Sequence, residues 1–162
     1  MLGLKEVRAF PPLQPAARAA IVARLAAALA EYDDVAYAWA FGSAVEGLPY
    51  RDVDVAVARR ALGAGAAGAA ATGPRPDADG PSDSLEWTFE LADALSEAIG
   101  MPVDVQPLDD APASFRASAY RGLLICAADE DRLANDLERT AIERCEFEVH
   151  RRRMTRWALG VR

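Results

Sequence analysis

Histidine is nearly absent: the 162-residue chain holds one, His150, so no histidine-based triad or zinc cluster can be assembled from it. Cysteine is almost as scarce. Cys126 and Cys145 stand in no metal-ligand spacing, and Cys126 lies in the apolar run Leu123 to Ala127; both read as reduced core thiols of a cytoplasmic protein. No stretch reaches the roughly 18 consecutive apolar residues that a membrane-spanning helix needs, and no apolar leader precedes a cleavage site. A membrane partner is not expected. Positive charge is also in short supply, with 18 Lys and Arg against 25 Asp and Glu, a net charge of -7 and a pI near 4.7. A protein that neutralises nucleic-acid phosphates presents a basic face, so direct nucleic-acid binding is disfavoured. Arg151, Arg152, Arg153, Arg156 and Arg162 are the exception. At the end of a helix they oppose the macrodipole and read as a solvated tail. Neither a Walker motif nor a dinucleotide fingerprint occurs.

What the chain does contain is alanine and short alternating runs. Its length suits one domain over residues 1–162, and 52% of its residues are hydrophobic, enough to bury a core. From Pro15 to Tyr32, Ile21, Leu25 and Leu29 recur every four residues, an amphipathic helix. Val35, Tyr37, Trp39 and Phe41 alternate with alanines up to Gly42, which predicts a strand with large side chains on one face. Val53, Val55 and Val57 form a second strand whose other face carries Asp52, Asp54 and Ala56. Residues 62–82, rich in Gly, Ala and Pro, read as a flexible loop. Asp83 and Glu86 resemble a capping box opening a helix from Ser84 to Ile99, stopped by Gly100. Val103 and Val105 around Asp104 and Gln106 give a third strand, 112–120 a short helix, in which Asp109 and Asp110 mark the approach to its start, and 123–127 a fourth strand. A long helix, 129–158, follows, with Leu133, Leu137, Ala141, Cys145 and Val149 along one face. Trp39, Trp87 and Trp157 sit at core-compatible positions. The fold class is therefore α/β or α+β: a mixed sheet of about four to five strands flanked by helices.

The chemistry concentrates between the first two strands. Aspartate is depleted in strands because a carboxylate fits poorly on a half-buried pleated surface, yet Asp52 and Asp54 share one face. Residues i and i+2 of a strand lie about 6.6 Å apart and point the same way, near enough for both carboxylates to reach metal ions about 3.5 to 4 Å apart. Magnesium suits such a group, because it takes oxygen ligands, keeps several waters and is completed by substrate phosphates. Asp104, flanked by valines, supplies a third carboxylate. Gly42 admits backbone amides close to a phosphate, and the Ser43 hydroxyl can donate to the same oxygens.

Strand, Gly42-Ser43, a short linker, Asp52-Val53-Asp54 on a strand and a later strand aspartate together resemble the polymerase-β-like nucleotidyltransferase superfamily. The small size is similar to that of its minimal members, the MNT antitoxins, which accompany HEPN toxins. The resemblance implies that Gly42 and Ser43 hold the triphosphate of ATP, that Asp52 and Asp54 bind two Mg2+ ions, and that Asp104 is a metal ligand and general base. It implies transfer of AMP from ATP to a protein hydroxyl, a tyrosine of a HEPN-type toxin partner. Two departures stand out: the Ser43 to Asp52 linker is short, and Glu46 occupies a place where arginine or lysine is common. They motivate a non-catalytic antitoxin as the alternative, beside a transferase acting on small molecules such as aminoglycosides. Arg51 reads as an exposed loop residue.

Overall fold

The computed structural model describes residues 9–60 and 81–159. The elements run α1 (Pro15–Leu29), β1 (Val35–Phe41), α2 (Ser43–Glu46), β2 (Val53–Arg59), α3 (Pro81–Ile99), β3 (Val103–Pro107), α4 (Ala113–Ala119), β4 (Leu123–Ala127) and α5 (Glu130–Ala158). Four strands lie in the order β3-β2-β1-β4. β1 is antiparallel to β2 and β4, whereas β2 and β3 are parallel, as befits two strands joined through a helix. This is the mixed sheet that the alternating runs predict.

Helices cover both sides. On one, α1 buries Ile21, Leu25 and Leu29, the three residues of its expected stripe, with Leu91, Leu95 and Ile99 of α3 against Val53, Val55 and Val57. On the other, Tyr37, Ala56, Ala58, Leu108 and Ala119 form a second cluster under α4 and α5. A register shift between Val35 and Tyr37 interrupts the alternation of β1, so Val35 packs with the α1 side rather than beside Tyr37. Such a bulge turns one residue to the other face.

Helix ends carry local signals. α3 stops at Gly100, whose φ of 73° is open to glycine, and the Ser96 hydroxyl then accepts from Val103 N at 2.9 Å, tying α3 to the start of β3. The Asp129 side chain accepts from Arg132 N at the head of α5. α3 begins at Pro81, so Asp83 lies inside the helix and not at its cap, and residues 81–82 leave the expected loop. The rest of that loop, up to residue 80, lies outside the described residues. No helix among the described residues is long and apolar enough to cross a membrane.

Trp157, Cys145 and Asp109 also depart from the sequence expectation. Trp157 is 80% exposed and Cys145 is exposed, while Cys126 is half-buried and both thiols are free; the final helix outruns the body that would cover them. Asp109 does not open α4, which starts after Pro112. Instead its carboxylate accepts from Arg59 N at 3.2 Å and from the Arg132 guanidinium.

Candidate functional site

Phe41 pairs with Asp54 at the end of β1, and Gly42 follows at once. Its φ of 76° belongs to the left-handed region, and a Cβ built there would stand 2.3 Å from Asp54 Oδ2. Glycine is required twice over, by backbone angle and by the carboxylate beside it. The chain then enters the single turn α2, where Gly42 O accepts from Val45 N and Glu46 N. Arg18 of α1 donates to Val45 O, and Gly47, at φ 75°, ends the turn. Ser43 is half-buried and Glu46 exposed.

The linker back to β2 is short but anchored. Tyr50 exchanges two backbone hydrogen bonds with Phe10, their rings stack at 5.4 Å, and Tyr50 is buried. Asp52 occupies the bend just ahead of β2, one residue before the strand. Asp54 is in the strand, directly opposite Asp104 in the parallel pairing with β3. Partners in register share a face, so the two carboxylates stand side by side on adjacent strands, with Asp52 next to them.

Crowding shows in the electrostatics. Burial, together with the negative charges of Asp52 and Asp104, raises the Asp54 carboxyl from 3.8 to about 6. Asp104 is exposed and is held at Oδ2 by Gln106 Nε2, 2.8 Å away. Gln106 lies two residues along β3, on the same face; its i, i+2 spacing from Asp104 was the visible signal of this role. Among the described residues, no group of three or more His, Cys, Asp or Glu side chains is arranged to hold a metal ion. Asp52 and Asp104 nevertheless lie near enough to Asp54 to raise its carboxyl, a repulsion that a divalent cation would relieve. That donor set suits magnesium, which is ordinarily bound through one or two carboxylates and completed by phosphates. Phe41 packs edge-on against Phe115 of α4 at 5.5 Å, giving the site an apolar wall. The structure therefore brings Gly42, Asp52, Asp54 and Asp104 together, with Ser43 next in the chain after Gly42.

Residues 23–131 match the family model described as polymerase beta, nucleotidyltransferase. No curated protein matches by sequence. Among solved structures, a mutant of the toxin-antitoxin MntA-HpeT aligns with TM-score 0.57 at 15% identity, covering 85% of this chain and 98% of that one. A tri-AMPylated Shewanella oneidensis HEPN toxin in complex with MNT antitoxin gives 0.55 at 14%, covering 88% and 98%. A toxin-antitoxin with AMP-PNP gives 0.56 at 16%, covering 85% and 98%. At these identities the likeness is one of fold.

Proposed function

The chain belongs to the polymerase beta nucleotidyltransferase family, and on that premise we propose that it transfers AMP from ATP to a hydroxyl of a protein partner, as the antitoxin of a HEPN toxin. The observation that carries this reading is the register of Asp54 with Asp104, with Gly42 packed against the Asp54 carboxylate. Asp52, Asp54 and Asp104 would hold two Mg2+ ions, which neutralise the phosphates and orient the reacting oxygens. Gly42 leaves room for the triphosphate, and Ser43 donates its hydroxyl to it. The acceptor oxygen bonds to the α-phosphorus, the bond to pyrophosphate breaks, and the acceptor's proton passes to a carboxylate. Asp104 suits that last role, since Gln106 occupies Oδ2 and leaves Oδ1 for the proton. The toxin-antitoxin settings of the solved structures of like fold support the choice of partner.

Pyrophosphate release that needs ATP, magnesium and the partner, and is abolished by Asp52→Asn with Asp54→Asn, is the expected result. Unchanged turnover in that double variant would sink the assignment. One observation favours a second reading: Glu46, exposed at the end of α2, places a carboxylate within a turn of Ser43, where it repels a polyphosphate. On that reading the chain neutralises its partner by binding alone. Partner binding without any thermal shift from ATP and magnesium would select it.

A further inference from the structure

Thr140 is the only buried residue of α5, yet the helix continues to Ala158, about 27 Å further. Along this projecting half Phe147 is 66% exposed, Met154 52% and Trp157 80%. Phe147 and Met154 are seven residues apart, two full turns, and continue the same helix face that Thr140 presents to the body. A projecting helix of this length gains its stability from packing rather than from propensity; the body reaches it at Glu143, which pairs with Arg116 of α4, while Phe147, Met154 and Trp157 beyond that point stay exposed.

The charges of the same half are sorted along its length. From 141 to 149 there are three glutamates and one arginine; from 150 to 159 there are four arginines and no acid. Glu148 holds Arg151 and Arg152 within the helix, whereas Arg153 and Arg156 have no ion-pair partner among the described residues. A helix that is acidic, then basic, with an apolar pair placed evenly about its midpoint, is complementary to itself when reversed. A parallel copy would set arginines against arginines.

We propose that the projecting half of α5 is a dimerisation helix that pairs antiparallel with α5 of a second copy of this chain. The two-fold axis passes near His150 and Arg151, which sets Phe147 of one copy against Met154 of its partner, a favourable sulfur-aromatic contact, and the acidic segment of each against the basic segment of the other. An interface of this kind is isologous and closed, so it stops at two copies. The proposal is independent of the transferase reading.

Sedimentation equilibrium of the full chain tests it. The expected mass is twice 17.3 kDa, and Phe147→Asp with Met154→Asp should weaken association by at least about 100-fold, since two anchors are lost on each copy. Thermal unfolding of the body should not move, because the body is held through Leu133 to Thr140. Glu146→Lys with Glu148→Lys, and separately Arg152→Glu with Arg153→Glu, should each give monomers that form a heterodimer on mixing, as expected if the charged segments meet across the interface. A wild-type monomer at about 100 μM, or a dimer indifferent to Phe147→Asp with Met154→Asp, overturns the proposal. So does a wild-type monomer whose toxin binding is lost in that same variant, since the face would then belong to the partner.

Discussion

Gly42 and Asp54 depend on one another. The glycine has a backbone angle that side chains rarely adopt, and a methyl group there would overlap the Asp54 carboxylate. Gly42→Ala should therefore push Asp54 out of register with Asp104. Titration calorimetry of magnesium should show at least a tenfold loss of affinity, equivalent to about 1.4 kcal/mol, in a protein that still folds; unchanged affinity would show that the close approach has no functional weight. Asp54 also makes a prediction about pH. Its folded value, about 6, is raised above the ordinary 3.8, so the fold prefers the protonated acid. The penalty is absent below pH 4, grows between pH 4 and 6, and is complete above 6. The carboxyl is only half-buried, and after solvent screening the penalty is about 1 to 2 kcal/mol. In magnesium-free protein, Asp54→Asn should accordingly raise stability at pH 7.5 and leave it unchanged at pH 4, as read by denaturant unfolding at the two pH values. A variant less stable than wild type at pH 7.5 would contradict the sign.

At the scale of elements, the base of α5 is fixed by a polar network. Arg132 donates to the Asp109 carboxylate and to Arg59 O, and lies 3.4 Å from Asp136. Tyr37 on β1 donates to Asp136 at 2.8 Å and meets the Tyr120 hydroxyl at 2.9 Å. Burial, reinforced by bonds to Tyr120 and Asp136, pushes the Tyr37 hydroxyl well above its usual range, so it stays a donor. Arg132→Leu would take their shared cation from two largely buried carboxylates, leaving Asp109 with Arg59 N and Asp136 with Tyr37 and Arg139; removal of one partner from a buried pair costs about 3 to 5 kcal/mol. Those remaining partners and some solvent access lower the expectation to about 2 to 4 kcal/mol, measurable by urea unfolding at pH 7. A loss below about 0.5 kcal/mol would show that the network is not what anchors α5. None of this was legible in the sequence. Asp109 and Arg132 are far apart along the chain, and an acidic pair ahead of a helix resembles a cap. Local periodicity, by contrast, was reliable wherever one face alone meets the core: Ile21, Leu25 and Leu29 are the three residues that α1 buries. It misplaced Val35, because a bulge leaves no mark in an alternating pattern. For Trp157 and Cys145 it assumed a core where the helix has already left the body.

For the whole molecule, the candidate site was more legible than the packing around it. Carboxylates in strands are unfavourable unless something uses them; that anomaly pointed to Asp52 and Asp54, though Asp52 lies one residue ahead of β2, and Asp104 rested on its valine-flanked setting together with the family resemblance. The parallel pairing of β2 with β3 adds what spacing lacked, the reason that Asp104 and not Asp109 or Asp110 completes the group: only Asp104 faces Asp54. Phe115 joined the site through a contact across elements, which a single sequence does not display, whereas the bond of Gln106 to Asp104 follows from their spacing along β3. The central claim, that this open group of acids transfers AMP to a protein hydroxyl, is tested most directly by the intact mass of a cognate HEPN toxin after incubation with the chain, ATP and magnesium. The toxin should gain adenylyl groups with the wild-type chain and none with Asp52→Asn and Asp54→Asn. A toxin of unchanged mass that is nonetheless bound and neutralised, or equal labelling by the double variant, would contradict it.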